Sequence, residues 1–143
     1  MRPHARVPSP SGCVPVHVLR CASRDEWLSR ARPLAGGTHS QVYGHYSGVA
    51  SGHYNFASGF GSSVDGGLWN AANGRFALTG GGAHNAANGY YSLVGGGSSN
   101  VAGGYNSAVL GGSSNTATGG FTTVGGGSNN NARGQYTAIG GGE

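Results

Sequence analysis

Ala57, Ala72, Ala87, Ala102, Ala117 and Ala132 are spaced by fifteen residues, and Val42 holds the same place one interval earlier. A fixed period of this size marks a repeat architecture, in which each unit buries its apolar face only against its neighbours. With Gly37 as position 1, the chain holds seven full units and the first two residues of an eighth. Positions 1 and 8 are Gly in every unit, from Gly37 to Gly142 and from Gly44 to Gly134. Position 4 is Asn in six units (Asn55, Asn70, Asn85, Asn100, Asn115 and Asn130) and Ser40 in the first. Position 13 runs Val49, Val64, Thr79, Val94, Val109, Val124, Ile139. The consensus is G-x-x-N-x-A-x-G-x-[YF]-[ST]-x-V-x-G.

Two fixed glycines per unit imply two turns per unit, each needing either positive φ or a close backbone approach. Between them lie two stretches of four or five residues, the length of short strands. Period two places positions 4 and 6 on one face of the first strand, and 11 and 13 on one face of the second. A coil that turns twice per unit and stacks on itself is an all-β parallel solenoid, or β-roll, with two short strands per rung. Identical residues then align in columns, and the Asn column is expected to hydrogen-bond amide to amide along the stack.

Outside the Asn and Ala columns, the first strand carries mostly small polar residues such as Ser58, Asn73, Asn88, Thr116 and Thr118, and reads as solvated. The second strand is apolar on both faces. One face holds the Val column; the other holds Tyr46, Phe76, Tyr91, Phe121 and Tyr136, with Leu78, Leu93, Ala108 and Ala138. Gly61 and Asn106 interrupt the aromatic column, but Phe60 and Tyr105 stand one residue earlier. A strand apolar on both faces is normally covered on both. One face fills the thin interior, and the other calls for a second chain, so oligomerisation through the five aromatics is expected.

The charge lies elsewhere. The formal net charge of +4 resides in residues 1–36, where Arg2, Arg6, Arg20, Arg24, Arg30 and Arg32 face only Asp25 and Glu26. From Gly37 onward, Arg75 and Arg133 balance Asp65 and Glu143. The arginines are scattered among Pro and Ser without aromatic interleaving, which argues against nucleic-acid binding. Residues 1–36 read as a largely disordered leader ahead of a repeat domain at 37–143. Ser23 and Glu26 have capping-box spacing, with Trp27, Leu28 and Ala31 on one face. A short helix over 24–32 and a chance pattern are both open readings. Val14 to Leu19 is too short for a signal-peptide core, and no stretch is long enough to span a membrane as a helix.

Catalytic and metal chemistry find little footing. Cys13, His17 and Cys21 form a C-x3-H-x3-C spacing, but zinc sites draw on four ligands in tight pairs and no second pair is near. Among the histidines of the body, His45 and His53 fall at positions 9 and 2, so they do not stack. Asp65 alone cannot supply the regular carboxylates of a calcium-binding roll. No convergent acid, base or nucleophile is legible, so no enzyme activity, cofactor or metal is expected.

Units such as GAHNAANGYYSLVGG, GSSNVAGGYNSAVLG and GSSNTATGGFTTVGG resemble the head repeats of trimeric autotransporter adhesins and of related bacterial and phage fibres. The resemblance covers Gly37 to Gly142. It implies a left-handed parallel β-roll, three rolls packed as a trimer with the doubly apolar strand toward the axis, and an extracellular, cell-surface setting. The coiled-coil neck, membrane-anchor barrel and secretion signal of that family are not seen, and the chain reads as a fragment of a fibre. The expected function is a non-catalytic structural or adhesive head, or a spacer. Position 9, above all Tyr90 and Tyr105, is the candidate surface for a host-matrix protein or glycan, because aromatics dominate binding hot spots. Two alternatives stand beside it. One is a regular-surface binder of the ice-binding type, for which only Thr122 and Thr123 speak. The other is a partial reading frame with no function of its own.

Overall fold

The computed structural model describes residues 34–143; residues 1–33 of the leader, and with them the 24–32 helix reading, lie outside the described residues. The described residues form an all-β parallel solenoid without helix. Fifteen two-residue strands alternate between two parallel sheets. One sheet holds eight strands, from Leu34–Ala35 and Gly48–Val49 to Ala138–Ile139; the other holds seven, from Gln41–Val42 to Asn131–Ala132. Every pairing from Gln41 onward is in register at an offset of fifteen, such as Ala86↔Val101↔Thr116. The first is shorter: Leu34 pairs with Gly48, an offset of fourteen, so sheet pairing reaches three residues ahead of Gly37.

The strands are shorter than the four or five residues expected, and each rung has a third contact line. Thr38, His53, Leu68, Ala83, Ser98, Ser113 and Ser128, all at position 2, join as single parallel bridges. The side chains in this column differ widely, since only backbone is needed there.

The inward columns are those that period two selects. Val49, Val64, Val94, Val109 and Val124 from one sheet meet Ala57, Ala72, Ala87, Ala102, Ala117 and Ala132 from the other, all fully buried. Val42 and Ile139 pack against the two ends of this core. Thr79 enters the Val column without leaving an orphan hydroxyl, because Oγ1 donates across the interior to the Ala71 carbonyl at 2.9 Å. Position 11 is also buried: Ser62, Ser92, Ser107 and Thr122 donate to the position-8 carbonyl three residues earlier at 2.7–2.9 Å. Thr122 is therefore an interior residue, and only Thr123 of that pair reaches the surface.

The Asn column bonds differently from the expected amide ladder. The Asn100 side chain accepts from the Asn115 backbone N–H at 2.9 Å. Its amide donates to the carbonyls of Gly96 and Gly112, each at 2.9 Å. The same three bonds recur at Asn55, Asn70, Asn85 and Asn115. Each amide thus satisfies a backbone N–H and a position-15 carbonyl that have no backbone partner at the turn, and adds a second donor to a position-1 carbonyl that already accepts a position-2 N–H. The expected amide-to-amide bond occurs in the column at its last pair, where the Asn130 amide donates to Asn115 Oδ1 at 3.1 Å, and on the outside, where the Asn73 amide donates to Asn88 Oδ1 at 2.9 Å.

Both glycine columns lie against a carbonyl oxygen of the next rung, as at Gly97 with 2.1 Å from a Cβ to the Gly112 oxygen, and position 1 adds a second cause. Position 1 has φ between 76° and 91° from Gly37 to Gly127, a region that disfavours a Cβ. Position 8 has no positive φ, but a Cβ on Gly104 would lie 1.9 Å from the Gly119 carbonyl oxygen of the next rung. Gly96, at position 15, faces neither restriction, since nothing lies within 4 Å of a Cβ there.

These contrasts predict opposite outcomes for one chemical change. Gly104→Ala should lower stability by about 2–3 kcal/mol through overpacking against backbone. Gly96→Ala should raise it by about 0.4–1 kcal/mol by reducing unfolded-state entropy. Urea midpoints of the two variants check this. Asn100→Ala strands the Asn115 N–H and the Gly96 carbonyl, while the Gly112 carbonyl keeps the Ser98 N–H, and should cost about 2 kcal/mol or more by the same measurement.

Candidate functional site

Positions 3 and 10 are turns of an unusual kind. All seven position-10 residues have φ of 50–65°, and all seven position-3 residues have φ of 54–58°, yet only Gly61 among them is Gly. This region costs an L-residue roughly 1–2 kcal/mol. The compensation is a reversal of hydrogen-bond direction. Strand N–H groups donate forward to the next rung, as from Ala108 to Thr122. The position-10 N–H donates backward instead, from Phe76 to the Phe60 carbonyl and from Phe121 to the Tyr105 carbonyl, both at 2.8 Å. Position 3 does the same, from Trp69 to the His53 carbonyl at 3.1 Å. Such a conformation throws the side chain outward at a corner.

The position-10 corner carries a continuous ladder of seven rings: Tyr46, Phe60, Phe76, Tyr91, Tyr105, Phe121 and Tyr136. Successive centroids are 5.2–6.1 Å apart. Neighbours that both stand at position 10 stack nearly parallel, at 13° for Phe76–Tyr91 and 9° for Phe121–Tyr136. Where position 10 is Gly61 or Asn106, the ring is supplied from position 9 and meets its neighbours edge to face, at 65–84°. The Arg75 guanidinium sits 4.9 Å from the Phe60 centroid and 5.3 Å from that of Phe76, a cation–π contact with two rings. The position-10 aromatics remain between 41% and 76% exposed.

The five aromatics expected to form an interface, Tyr46, Phe76, Tyr91, Phe121 and Tyr136, therefore stand together, at the turn entering the second strand. The two expected ligand-surface residues are not separate from them. Tyr105 is a member of the ladder, and the Tyr90 ring lies beside it at 6.5 Å. One corner holds both sets.

A second aromatic column, missed by sequence reasoning, occupies the position-3 corner. His39, Tyr54, Trp69 and His84 stack with centroid spacings of 4.8, 4.4 and 6.4 Å and interplanar angles of 22°, 4° and 5°. Their fifteen-residue spacing was available as a signal. Position 3 was hidden because Ser99, Ser114 and Asn129 complete the column.

Among the described residues, no group of three or more His, Cys, Asp or Glu side chains comes together as for a metal. Cys13, His17 and Cys21 lie outside the described residues. The His53 ring is engaged by the Thr38 hydroxyl one rung away. No helix among the described residues is long and apolar enough to cross a membrane. What the corners offer chemically is apolar contact, π-faces for cations and phenolic hydroxyls.

No protein-family profile matches this chain, and no curated protein does. The resemblance of the repeats therefore rests on the columns themselves.

Tyr91 touches the rings on both sides of it. Tyr91→Ser should cost about 1–3 kcal/mol, since each aromatic pair contributes about 0.5–1.5 kcal/mol. The readouts are the urea midpoint and the near-UV circular dichroism of the ladder.

Proposed function

We propose that the chain is a non-catalytic head or spacer segment of an extracellular surface fibre, working as a homo-oligomer. The observation that carries this reading is the seven-ring ladder, which runs the length of the solenoid and stands half-exposed at one corner. Full burial of such side chains contributes roughly 1.5–3 kcal/mol each, a large gain for a body whose own interior is one Ala and one Val per rung. Contiguous exposed apolar surface of this kind marks an interaction site. The resemblance to trimeric adhesin heads supports three as the number of chains, with the ladders facing a common axis.

A stacked solenoid suits a spacer because each rung contacts only its neighbours and length grows by repetition. Adhesion to a matrix protein or glycan would fall to position 9 and above all to Tyr90, which lies beside the ladder, since Tyr105 is one of the ladder's own rings. The ice-binding alternative gains no support from Thr122, which is buried.

Light scattering of the full chain at micromolar concentration is expected to give the mass of three copies, and Tyr91→Ser with Phe121→Ser is expected to release monomers or unfold the chain. A folded monomeric parent would overturn the assembly. The adhesive role is tested by displaying the chain on beads against matrix proteins and glycans. Binding lost on replacing Tyr90 by Ala, with the mass by light scattering unchanged, supports adhesion, and no binding leaves a spacer. Turnover of any substrate would sink both.

A further inference from the structure

We propose that the position-3 corner of the first four rungs is a docking site for the arginine-bearing segment 20–32 of the same chain. The proposed assembly does not use this corner. Tyr54 and Trp69 are 42% and 52% exposed there. Nothing in the rung requires an aromatic at this place. Ser99, Ser114 and Asn129 hold the same position with the same φ and the same backward hydrogen bond. The rings are thus surplus to the fold, and they occur only in the four rungs closest to where the described chain starts at Leu34.

The segment preceding Leu34 brings the complementary chemistry. Arg20, Arg24, Arg30 and Arg32 lie within it against Asp25 and Glu26, an excess of two positive charges, and the repeat body from Gly37 onward offers only Asp65 and Glu143 as carboxylates. Its aromatic faces are the other attractive partner for a guanidinium. Arg75 already adopts that mode within the solenoid, over Phe60 and Phe76. The corner has room for it. Trp69 and His84 are parallel, but their 6.4 Å separation exceeds the rise of one rung. The rings are therefore offset sideways by roughly 4 Å, which leaves part of the indole face uncovered. Reach is not limiting. Arg24 lies ten residues ahead of Leu34, up to roughly 33 Å of extended chain. The ladder from His39 to His84 spans three rungs, roughly 14 Å.

The test uses the full chain and its two tryptophans. Trp27→Phe leaves Trp69 as the sole reporter. Acrylamide quenching of Trp69 is compared with and without replacement of Arg20, Arg24, Arg30 and Arg32 by Gln. Docking predicts that quenching rises about two- to fivefold when the arginines are lost, as expected for exposed cation–π contacts. Equal quenching overturns the proposal. Shielding that fades on dilution also overturns it, because a second copy would then be the occupant. A second readout is tryptic cleavage after Arg24 and Arg30, which should accelerate in Trp69→Ser; an unchanged rate counts against docking. Ser at this position has precedents at Ser99 and Ser114. Should that variant fail to fold, the quenching comparison still decides, because its substitutions lie outside the repeats.

Discussion

Inter-rung hydrogen bonding at a constant offset of fifteen is the constraint on which the rest of this structure depends. A rung has almost no interior of its own: one Ala and one Val meet across it. What it does have is a backbone whose donors and acceptors meet the next rung in register, from Gln41 onward. Strand bonds cover positions 5–7 and 12–14, and the bridges at position 2 with the backward bonds at positions 3 and 10 cover part of the turns, which leaves the N–H of position 4 and the carbonyl of position 15. The buried Asn amide closes that gap by bonding one N–H and two carbonyls, and the position-11 hydroxyl closes another. No buried side-chain nitrogen or oxygen is left without a partner among the described residues. For so thin a body this matters more than apolar burial, because a buried polar group without a partner costs as much as a side chain's worth of core.

The same constraint explains why the glycines are arranged as they are. Position 8 must let one rung's backbone lie directly on the next, and Gly104 against the Gly119 carbonyl shows how little space remains. Position 1 must turn with positive φ. Positions 3 and 10 must also turn with positive φ, and there the chain uses His, Tyr, Trp, Phe, Ser and Asn. The difference is where Cβ points. At positions 3 and 10 it points outward, so the cost is only conformational and the backward hydrogen bond offsets it.

The stacking, the two strand columns and the inward set at positions 4, 6, 11 and 13 were legible in the sequence, because inward columns are chemically uniform. The Asn bonding was misjudged for a physical reason. An amide ladder needs amides aligned along the fibre, whereas a turn places backbone groups closer to the amide than its neighbour is. The third bridge line was invisible because Thr38, His53, Leu68 and Ala83 share nothing but a backbone. The left-handed turns were hidden by their occupants, since aromatics at positive φ run against the residue preferences from which turns are read. Of the candidate surface, membership was legible and placement was not. The five position-10 aromatics were identified, but the apparent strand face is a corner, and Tyr105 belongs to it.

This division of labour locates specificity. Inward columns are held nearly constant by the hydrogen-bond and packing demands of stacking, so they carry no information particular to a partner. Outward columns answer to no such demand: position 3 changes from stacked aromatics to Ser and Asn midway along the body without any change in φ. Position 9 varies still more freely, through His45, Phe60, Arg75, Tyr90 and Tyr105 to Gly120 and Gln135. Yet where position 10 lacks a ring, position 9 provides one. The compensation at Phe60 and Tyr105 keeps the ladder unbroken across two rungs whose backbones would be satisfied without it. A property maintained by different residues at different positions is a property of the surface, and the ladder's continuity belongs to what the solenoid presents outward.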